Sequence, residues 1–288
     1  AFSHYQCPTA LPLDERTVRV YVSCRDATQI ARIGYLDLEF RHGKLTKSSP
    51  LYPTPALSTG GIGCFDEHGV YPSSVLRVDD EIKLFYAGYI RGAEQPMFYT
   101  AIGVASSNDG HHFDRSSRAP ILARSEHDPC LVTSPGIYRL DDRWVMYYVS
   151  GFGWIRDEIG RLQSLYDVKI AWSDDLMNWQ RAGEIAVPLT AGETNISRPT
   201  VLVDSAGIHH MWYCSVPQGG NYKIGYATSR DGRKWVRNDA LSGFHGHSDV
   251  EGRMQAYPHV FKFSGQVWML LNEGRYGDTG FYLLRMKI

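Results

Sequence analysis

The sequence lacks the features that mark several large classes of protein. None of its apolar runs approaches the roughly 18 residues needed to span a bilayer, so no membrane-spanning helix is predicted. Neither a G-x-x-x-x-G-K-[ST] loop nor a dinucleotide-binding glycine fingerprint occurs, which argues against nucleotide-dependent enzymes. Long helical patterns are also missing. The chain of 288 residues is therefore expected to be all-β rather than α/β.

The sequence also has almost no excess charge and few cysteines. A formal net charge of -1 gives no electrostatic basis for binding nucleic acid or an anionic membrane surface. The five cysteines are dispersed without a C-x-x-C pair, and most lie in apolar segments, which favours buried free thiols over disulfides or a zinc site. Free thiols indicate a reducing compartment, so a cytoplasmic location is expected, with a processed or secreted form as the alternative. Nothing in the sequence indicates an oligomeric state.

What the sequence does contain is a repeat of short strands. An aromatic-rich strand recurs five times, as VRVYVSCR, IKLFYAGY, WVMYYVSG, HHMWYCSV and QVWMLLNEG. A further strand follows each, and in the middle three copies it leads into a matching turn and a fourth strand (SNDGHHFDR, SDDLMNWQR and SRDGRKWVR). Alternating apolar and polar residues bounded by Asp-Gly or Asp-Asp turns are typical of antiparallel strands. The aromatic residue after each turn (Phe113, Trp179 and Trp235) is expected to pack between neighbouring sheets.

Five copies of three or four strands predict a single-domain, five-bladed β-propeller. The approximate blades are residues 1–64, 65–127, 128–191, 192–248 and 249–288. The first and last copies look incomplete. The N-terminal stretch before Leu11 is expected to supply the missing outer or inner strand, so that the N- and C-terminal segments close the ring.

An acidic residue precedes the proline-bearing strand in four of the copies. Asp66, Asp128 and Glu251 lie nine residues, and Glu193 eight residues, ahead of an apolar residue of that strand. Because a closed ring brings equivalent positions together, these carboxylates are expected to converge on the floor of a central funnel. Crowding should raise the pKa of at least one of them. Two carboxyl groups with separated pKa values are what cleavage of a glycosidic bond needs.

Aromatic and cationic residues are expected around the same funnel. Aromatic rings suit stacking on the apolar faces of sugars, and arginines suit sugar hydroxyls or the carboxylate of an anionic sugar. A carbohydrate is therefore the predicted ligand. The predicted substrate-binding residues are Arg25, Tyr71, Trp154, Arg198, Glu251, Tyr257 and Arg275. No cofactor or metal is predicted, since His245, His247 and Asp249 lack a firm metal-ligand spacing.

Each of these residues also has a structural interpretation. An acid ahead of a strand can cap a turn with its side-chain oxygen, and a repeated turn would repeat the acid. Arg198 is either a substrate ligand or the partner of a buried acid. At the level of the whole protein, the alternatives to an enzyme are a non-catalytic carbohydrate-binding propeller that acts in polysaccharide assembly and a propeller that binds other proteins.

The residues that open and close these copies resemble those of a known superfamily. The order Asp66, Asp128, Glu193 on successive blades is similar to the Asp, Asp, Glu set of the five-bladed propeller glycosidases, which include glycoside hydrolase families 43, 32, 68 and 130. The segments IGVASSNDGHHF, IGYATSRDGRKW and HHMWYCS resemble the repeats of that superfamily. FDEHGVYPSSV, SRDGRKW and NEGRYGDTGF are similar to poorly characterised bacterial propellers associated with surface-polysaccharide gene sets.

The resemblance implies an enzyme that cleaves or transfers a glycosidic bond in a bacterial glycan or its precursor. It implies that Asp66 acts as base or nucleophile, that Asp128 orients the sugar and tunes the acid, and that Glu193 is the general acid. Glu251 and Glu67 compete for these roles, and the first blade has no equivalent acid. The calcium or sodium ion in the channel of some family 43 members has no support from the residues of this sequence.

Overall fold

The computed structural model describes residues 3–244 and 254–287 of the chain. In these ranges the regular secondary structure is almost entirely β-strand, and the one helical segment is a short 3-10 turn at Asp239–Leu241. None of the described segments is a helix with the length and apolarity needed to cross a bilayer. The prediction of an all-β protein is confirmed.

The strands fall into consecutive antiparallel groups, two of which come from the first half of the chain. The first group contains β1 (Ser3–Pro12), β2 (Thr17–Arg25), β3 (Ala31–Arg41) and β4 (Lys44–Ser48). The second contains β5 (Gly69–Val78), β6 (Glu81–Arg91), β7 (Phe98–Ser107) and β8 (Asp114–Arg115). In both groups each strand pairs with its neighbour in sequence, which is the meander of a propeller blade.

Three more groups follow in the second half. The third contains β9 (Leu131–Leu140), β10 (Arg143–Arg156), β11 (Leu162–Ser173) and β12 (Ile185–Val187). The fourth contains β13 (Glu193–Val203), β14 (His209–Pro217), β15 (Lys223–Ser229) and β16 (Val236–Arg237). The last contains β17 (Met254–Phe263), β18 (Gln266–Gly274) and β19 (Phe281–Met286).

The first strand of each group lies on the axis of the molecule. β1 contacts β5, β5 contacts β9, β9 contacts β13, β13 contacts β17, and β17 returns to β1. Five inner strands in cyclic contact, each followed by its own antiparallel meander, make a five-bladed propeller in the described part of the chain. The predicted architecture is therefore confirmed.

Aromatic side chains pack between neighbouring blades. Phe113 lies edge-on against Tyr21 of the preceding blade, with 5.5 Å between ring centroids, and Trp235 lies in the same way against Tyr147 at 5.4 Å. Trp179 meets Phe85 at 6.4 Å. The turn before each ring requires a left-handed residue at Gly110 in the second blade and Gly232 in the fourth (φ 70° and 67°), and the carbonyls of these glycines accept hydrogen bonds from Tyr21 and Tyr147. The expected packing of the post-turn aromatics is confirmed.

The ring closes through the first inner strand. The N-terminal stretch does not add a strand to the last blade, because β1 pairs with β2 and is the inner strand of the first blade. It is held against the last blade by Asn272, which accepts a hydrogen bond from the Cys7 N–H at 2.9 Å and donates to the Tyr5 carbonyl at 2.8 Å. The Tyr5 N–H donates to the Gly277 carbonyl at 2.9 Å. The N-terminal stretch therefore supplies an inner strand, one of the two predicted alternatives, and backbone and amide contacts join it to the last blade to close the ring.

All five cysteines are free thiols. Cys7, Cys24 and Cys214 are buried, whereas Cys64 and Cys130 are partly exposed. Burial raises the pKa of the Cys7 thiol to about 11, so this group stays protonated at neutral pH.

Candidate functional site

A large cavity of the described structure opens on the propeller axis. Its volume is about 930 Å³, and side chains of all five inner strands line it. The inner-strand residues on its wall are Gln6, Cys7, Tyr71, Ser73, Thr133, Ser134, Thr194, Asn195, Ser197, Met254 and Tyr257. A cavity of this size is at the upper end of the range for small-molecule sites.

A bulge before a proline shapes the leading end of four inner strands. Cys7, Ser134, Arg198 and Tyr257 each precede a proline and have φ between 48° and 58°. The pairing register shifts at each of these positions. Proline has no N–H to give to the ladder, so a bulge at this point costs the strand no hydrogen bond that it would otherwise make. The bulge turns the strand end at the axis, and three of the four residues line the cavity.

Two loops that lean on each other form one wall of the cavity. β10 and β11 extend into a long hairpin whose Trp154 packs edge-on against Phe98 at the start of β7, with 5.5 Å between ring centroids. Arg156 of the hairpin forms an ion pair with Glu94 of the β6–β7 loop at 2.8 Å. Glu94 is the one carboxylate on the cavity wall among the described side chains. The ion pair holds the second and third blades together at the mouth.

Tyrosines form the opposite wall. Tyr222 lies 5.8 Å from Tyr257 and 6.2 Å from Tyr276, measured between ring centroids. Burial raises the pKa of both Tyr222 and Tyr257 well above its ordinary value, so both phenols keep their protons. Tyr257 accepts a hydrogen bond from the Gln6 side chain at 3.1 Å. This wall offers flat aromatic faces and hydroxyl groups together.

Arg25 stands alone among the cavity arginines in having no carboxylate partner in the described part of the chain. Its guanidinium donates to Gln6 Oε1 at 2.9 Å, while its buried Nε atom has no hydrogen-bond partner there. Arg156 is paired with Glu94, and Arg161 with Asp157 at 2.9 Å. Buried donors are normally satisfied, so the Nε of Arg25 retains an unused capacity to donate a hydrogen bond.

Arg198 lies beneath the cavity and crosses the axis. It is 2% exposed and donates hydrogen bonds to the carbonyls of Pro72 and Cys7 and to Thr9 Oγ1, all on other blades. Burial lowers the pKa of Arg198 from its ordinary value of 12.5, although the guanidinium remains charged at neutral pH. Of the two interpretations left open by the sequence, a partner for a buried acid is wrong in the described structure, because its hydrogen bonds go to neutral oxygens.

The other predicted binding residues fall into three groups. Arg25, Tyr71, Trp154 and Tyr257 all line the cavity, so the structure brings together the aromatic and cationic residues that the repeat suggested. Arg275 does not: it is exposed, and its N–H donates to Asp278. Glu251 lies outside the described residues.

The three acids predicted as catalytic are not on the cavity wall. Asp66 is 1% exposed and pairs with Arg115 at 2.7 Å, and Tyr86 donates to it at 3.2 Å. The partner and the tyrosine both belong to the second blade, which Asp66 opens. Asp66 lies in the connection that enters the second blade from the first. Through Arg115 and Tyr86 its carboxylate fixes this connection to the outermost and the second strand of the second blade.

Asp128 repeats this arrangement in the third blade. It is fully buried and pairs with Arg181 at 2.9 Å, while Tyr148 donates to it at 3.1 Å. Lys169 adds a second positive charge at 3.8 Å. The carboxylate is thus surrounded by donors and does not line the cavity.

Glu193 completes the set in the fourth blade. Arg237 holds both of its oxygens at 2.8 Å. Burial acts to raise the pKa of Glu193, but hydrogen bonds from Arg237 and Thr190 outweigh it and place the pKa below its usual 4.5. A general acid needs the opposite shift.

The expectation that these three carboxylates converge on the funnel floor is therefore wrong. Each lies against its own blade because an arginine at the end of that blade's turn segment binds it. The sequence carried this signal: the three segments SNDGHHFDR, SDDLMNWQR and SRDGRKWVR all end in arginine, and they occur in the same copies as Asp66, Asp128 and Glu193. The structural interpretation of a repeated acid accounts for this geometry.

A raised carboxyl pKa does occur, at a residue that the sequence reasoning missed. The pKa of Asp167 is raised to about 6: burial raises it most, Lys169 partly offsets this effect, and the charge of Asp128 adds a smaller increase. Asp167 is 6% exposed and does not line the cavity. Its position in the alternating strand DVKIAWS gave no signal of a special environment.

Metal binding has no visible cluster to support it. Within residues 3–244 and 254–287, no group of three His, Cys, Asp or Glu side chains is placed to hold an ion. His245, His247 and Asp249 lie outside these ranges. The chemistry of the cavity in the described part of the chain is that of hydroxyls, amides, aromatic faces and guanidinium groups, which together suit a polyhydroxylated ligand.

Comparison with known proteins identifies chains that are similar to this one in sequence or in fold. No protein-family model matches the sequence. The chain is 31% identical over 284 residues to an uncharacterized protein of Mycobacterium tuberculosis, covering 98% of this chain and 92% of that protein. A probable sucrose-6-phosphate hydrolase of Psychromonas ingrahamii is 36% identical over 117 residues, which cover 40% of this chain and 19% of that protein. A thermostable family-43 glycoside hydrolase superposes with a TM-score of 0.71 at 17% identity, covering 99% of this chain and 90% of that chain.

Proposed function

Because this chain belongs to the same family as the uncharacterized Mycobacterium tuberculosis protein and has the five-bladed fold of glycoside hydrolases, we propose that it is a glycosidase-like enzyme. Its substrate is a carbohydrate held in the axial cavity, and the reaction cleaves or transfers a glycosidic bond. A bacterial glycan or its precursor is the substrate class that the sequence resemblance suggests.

The observation that carries this proposal is the convergence of sugar-binding groups from all five blades on one cavity. Trp154 and Tyr276 present aromatic surface at its mouth, and Gln6, Asn195 and Ser134 present amide and hydroxyl groups deeper inside. Sugars are recognised by this combination, since each ring has apolar faces and an equatorial belt of hydroxyls. A volume of about 930 Å³ leaves room for more than one ring.

The acid–base chemistry is the part with least support from geometry. Glycosidic cleavage uses two carboxyl groups roughly 5 to 10 Å apart across the sugar. The roles of Asp66 as base, Asp128 as modulator and Glu193 as acid stay a prediction, and their arginine partners count against it. On the described cavity wall, Glu94 is the only carboxylate, and it is paired with Arg156.

These ion pairs favour a second candidate function, a carbohydrate-binding propeller without catalysis. Such a protein would keep the aromatic and arginine-lined cavity and would use the three acids only to hold blades together. The two candidates differ in turnover and agree on binding.

One experiment separates them. The purified protein is incubated with a panel of aryl glycosides and oligosaccharides, with products read by mass spectrometry, and binding of the same panel is followed by calorimetry. Turnover of any member supports the enzyme. Saturable binding with no product from any bound sugar supports the binding protein, and neither binding nor turnover contradicts both.

Three variants then test the carboxylates. If Asp66→Asn and Glu193→Gln lower kcat by about a thousandfold or more in folded protein, the acids are catalytic despite their ion pairs. We expect a change below about tenfold, because neither side chain reaches the cavity. Glu94→Gln is the matched control, since it neutralises the carboxylate that is on the wall. Circular dichroism and urea unfolding confirm that each variant is folded.

A further inference from the structure

Positive charge on the cavity wall is not fully balanced in the described structure. Two of the three wall arginines are neutralised at the mouth, Arg156 by Glu94 and Arg161 by Asp157. Arg25 donates to the neutral Gln6 and has Tyr71 as a further neutral side-chain partner, while its buried Nε has no partner. A cation therefore lines the cavity without an anion among the described side chains.

A second cation lies directly below. Arg198 is buried on the axis, and the described groups that most affect its pKa are thiols and phenols, Cys7 and Tyr257 among them, rather than carboxylates. Cys7 and Tyr257 are themselves on the cavity wall. Because the interior screens charge poorly, the field of Arg198 reaches the cavity through these residues.

The three described acids that the sequence placed on the funnel floor are engaged elsewhere. Asp66, Asp128 and Glu193 are each within 3 Å of an arginine of their own blade, so each pair is close to neutral as seen from the axis. The described cavity is thus a cationic site inside a protein whose formal net charge is only -1.

We propose that the cavity takes an anionic carbohydrate, a sugar that carries a carboxylate or a phosphate, with the anionic group against Arg25. The proposal rests on the proposed function, in that a carbohydrate is the ligand, and it narrows the class of sugar. Arg198 contributes electrostatic attraction from below and makes no direct contact.

The neighbours of Arg25 prepare it for this role. Gln6 accepts from the Arg25 guanidinium and donates to Tyr257, so a chain of hydrogen bonds fixes the planar group from one side. The unpartnered Nε is left to pair with an oxygen of the ligand. Guanidinium groups bind carboxylate and phosphate oxygens through charge-assisted hydrogen bonds that are about twice as strong as neutral ones. A neutral sugar would leave this donor and its charge uncompensated.

The test compares anionic sugars with their neutral counterparts. Trigalacturonate and the matching neutral galactose trimer, and glucose 6-phosphate and glucose, are titrated into the protein by calorimetry at low salt and at 0.5 M NaCl. We expect the anionic member of at least one pair to bind about tenfold or more tightly, with the difference shrinking in salt. Preference within the first pair identifies a carboxylate, and preference within the second identifies a phosphate.

Variants assign the effect to Arg25. Arg25→Gln is expected to remove the preference for the anionic sugar, and Arg25→Lys to restore part of it, because lysine keeps the charge but not the planar fork. Arg143→Gln is the matched control: it removes the same charge at the start of β10, where Arg143 pairs with Asp174 on the surface. The control should leave both affinities unchanged.

The outcomes separate this inference from the proposed function. Equal binding of neutral and anionic sugars, or a preference that survives Arg25→Gln, overturns the inference and leaves a carbohydrate-binding cavity intact. Absence of binding by every sugar, in a protein shown to be folded, overturns both. Inorganic phosphate is titrated as well, and binding of phosphate without binding of either anionic sugar also contradicts the inference.

Discussion

Within single blades carboxylates and arginines are buried together, whereas on the axial cavity an arginine is left without a carboxylate in the described structure. Asp128 is fully buried and Arg181 is its partner at 2.9 Å. Arg25, on the cavity, has a neutral amide as acceptor and a buried nitrogen without one. Arginine thus stabilises the fold by pairing with a carboxylate in one region, and in the other it is available to bind a ligand.

The difference follows from whether a ligand can reach the charged groups of each region. Around these buried pairs no ligand enters, so a buried charge must find its partner within the chain. At the axis the inner strands bulge before their prolines and leave an open space, and a ligand can complete the hydrogen bonding there. The position of an acid in a repeat therefore reports on blade architecture as readily as on catalysis.

The largest effect is expected when the arginine is removed from a buried ion pair. Arg181→Met leaves Asp128 charged and enclosed, so we expect the free energy of unfolding to fall by about 3 to 5 kcal/mol. Urea denaturation measures it. The matched control is Arg143→Met, whose pair with Asp174 has the similar distance of 2.8 Å but is exposed, and its loss should cost about 1 kcal/mol or less. Equal losses in the two variants would contradict a structural role for Asp128.

A second prediction uses the raised pKa of Asp167. The folded protein holds this proton more tightly than the unfolded chain, so the contribution of Asp167 to stability is present below pH 4 and is lost as the pH rises through about 6. Asp167→Asn should remove that pH dependence. A shift from 3.8 to about 6 corresponds to about 3 kcal/mol, so the variant should be more stable than the wild type by up to that amount at pH 7.

Unfolding curves at pH 4 and pH 7 check the direction. The stability difference between Asp167→Asn and wild type should be small at pH 4 and large at pH 7. A variant that is destabilised equally at both values would show that Asp167 is needed in its charged form, and would tie it to Lys169 as a stabilising pair.

The smallest effect is expected for an aromatic residue on the cavity wall. Trp154→Ala removes an aromatic face from the cavity wall and should weaken oligosaccharide binding about three- to tenfold. Phe152→Ala is the control, since this ring lies on the same strand, is 41% exposed and is not on the wall. Calorimetry with the sugar that binds wild type best measures both, and equal effects would remove Trp154 from the site.

The fold was predictable because it rests on local patterns that repeat. Strand alternation, Asp-Gly turns and post-turn aromatics each indicate a local conformation, and the five copies of this pattern predict the number of blades. The ring closure was less accessible. Asn272 holds the first inner strand through backbone groups of Tyr5 and Cys7, and an asparagine near the end of the chain carries no sequence mark of that contact.

The candidate site was predictable by residue type and only partly by position. Tyr71, Trp154, Tyr257 and Arg25 reach the cavity because inner strands and strand-following loops share one end of the propeller. The acids did not, although they occupy similar places in the repeat. A side chain of one or two methylene groups at a strand's leading connection can turn to the axis or to its own blade, and the partner that decides lies about fifty residues away: 49 for Asp66 and 53 for Asp128.

The sequence by itself determined the β-class, the number of blades and the residue types that a sugar-binding cavity needs, because these follow from short-range alternation and from its repetition. Only the tertiary structure decided which charges are paired. A charged side chain can interact with water, with a ligand or with a distant side chain of the same chain, and its burial determines which of these partners is available. Asp66, Asp128 and Glu193 met arginines of their own blades, while Arg25 met none of the described acids and lies on the wall of the cavity.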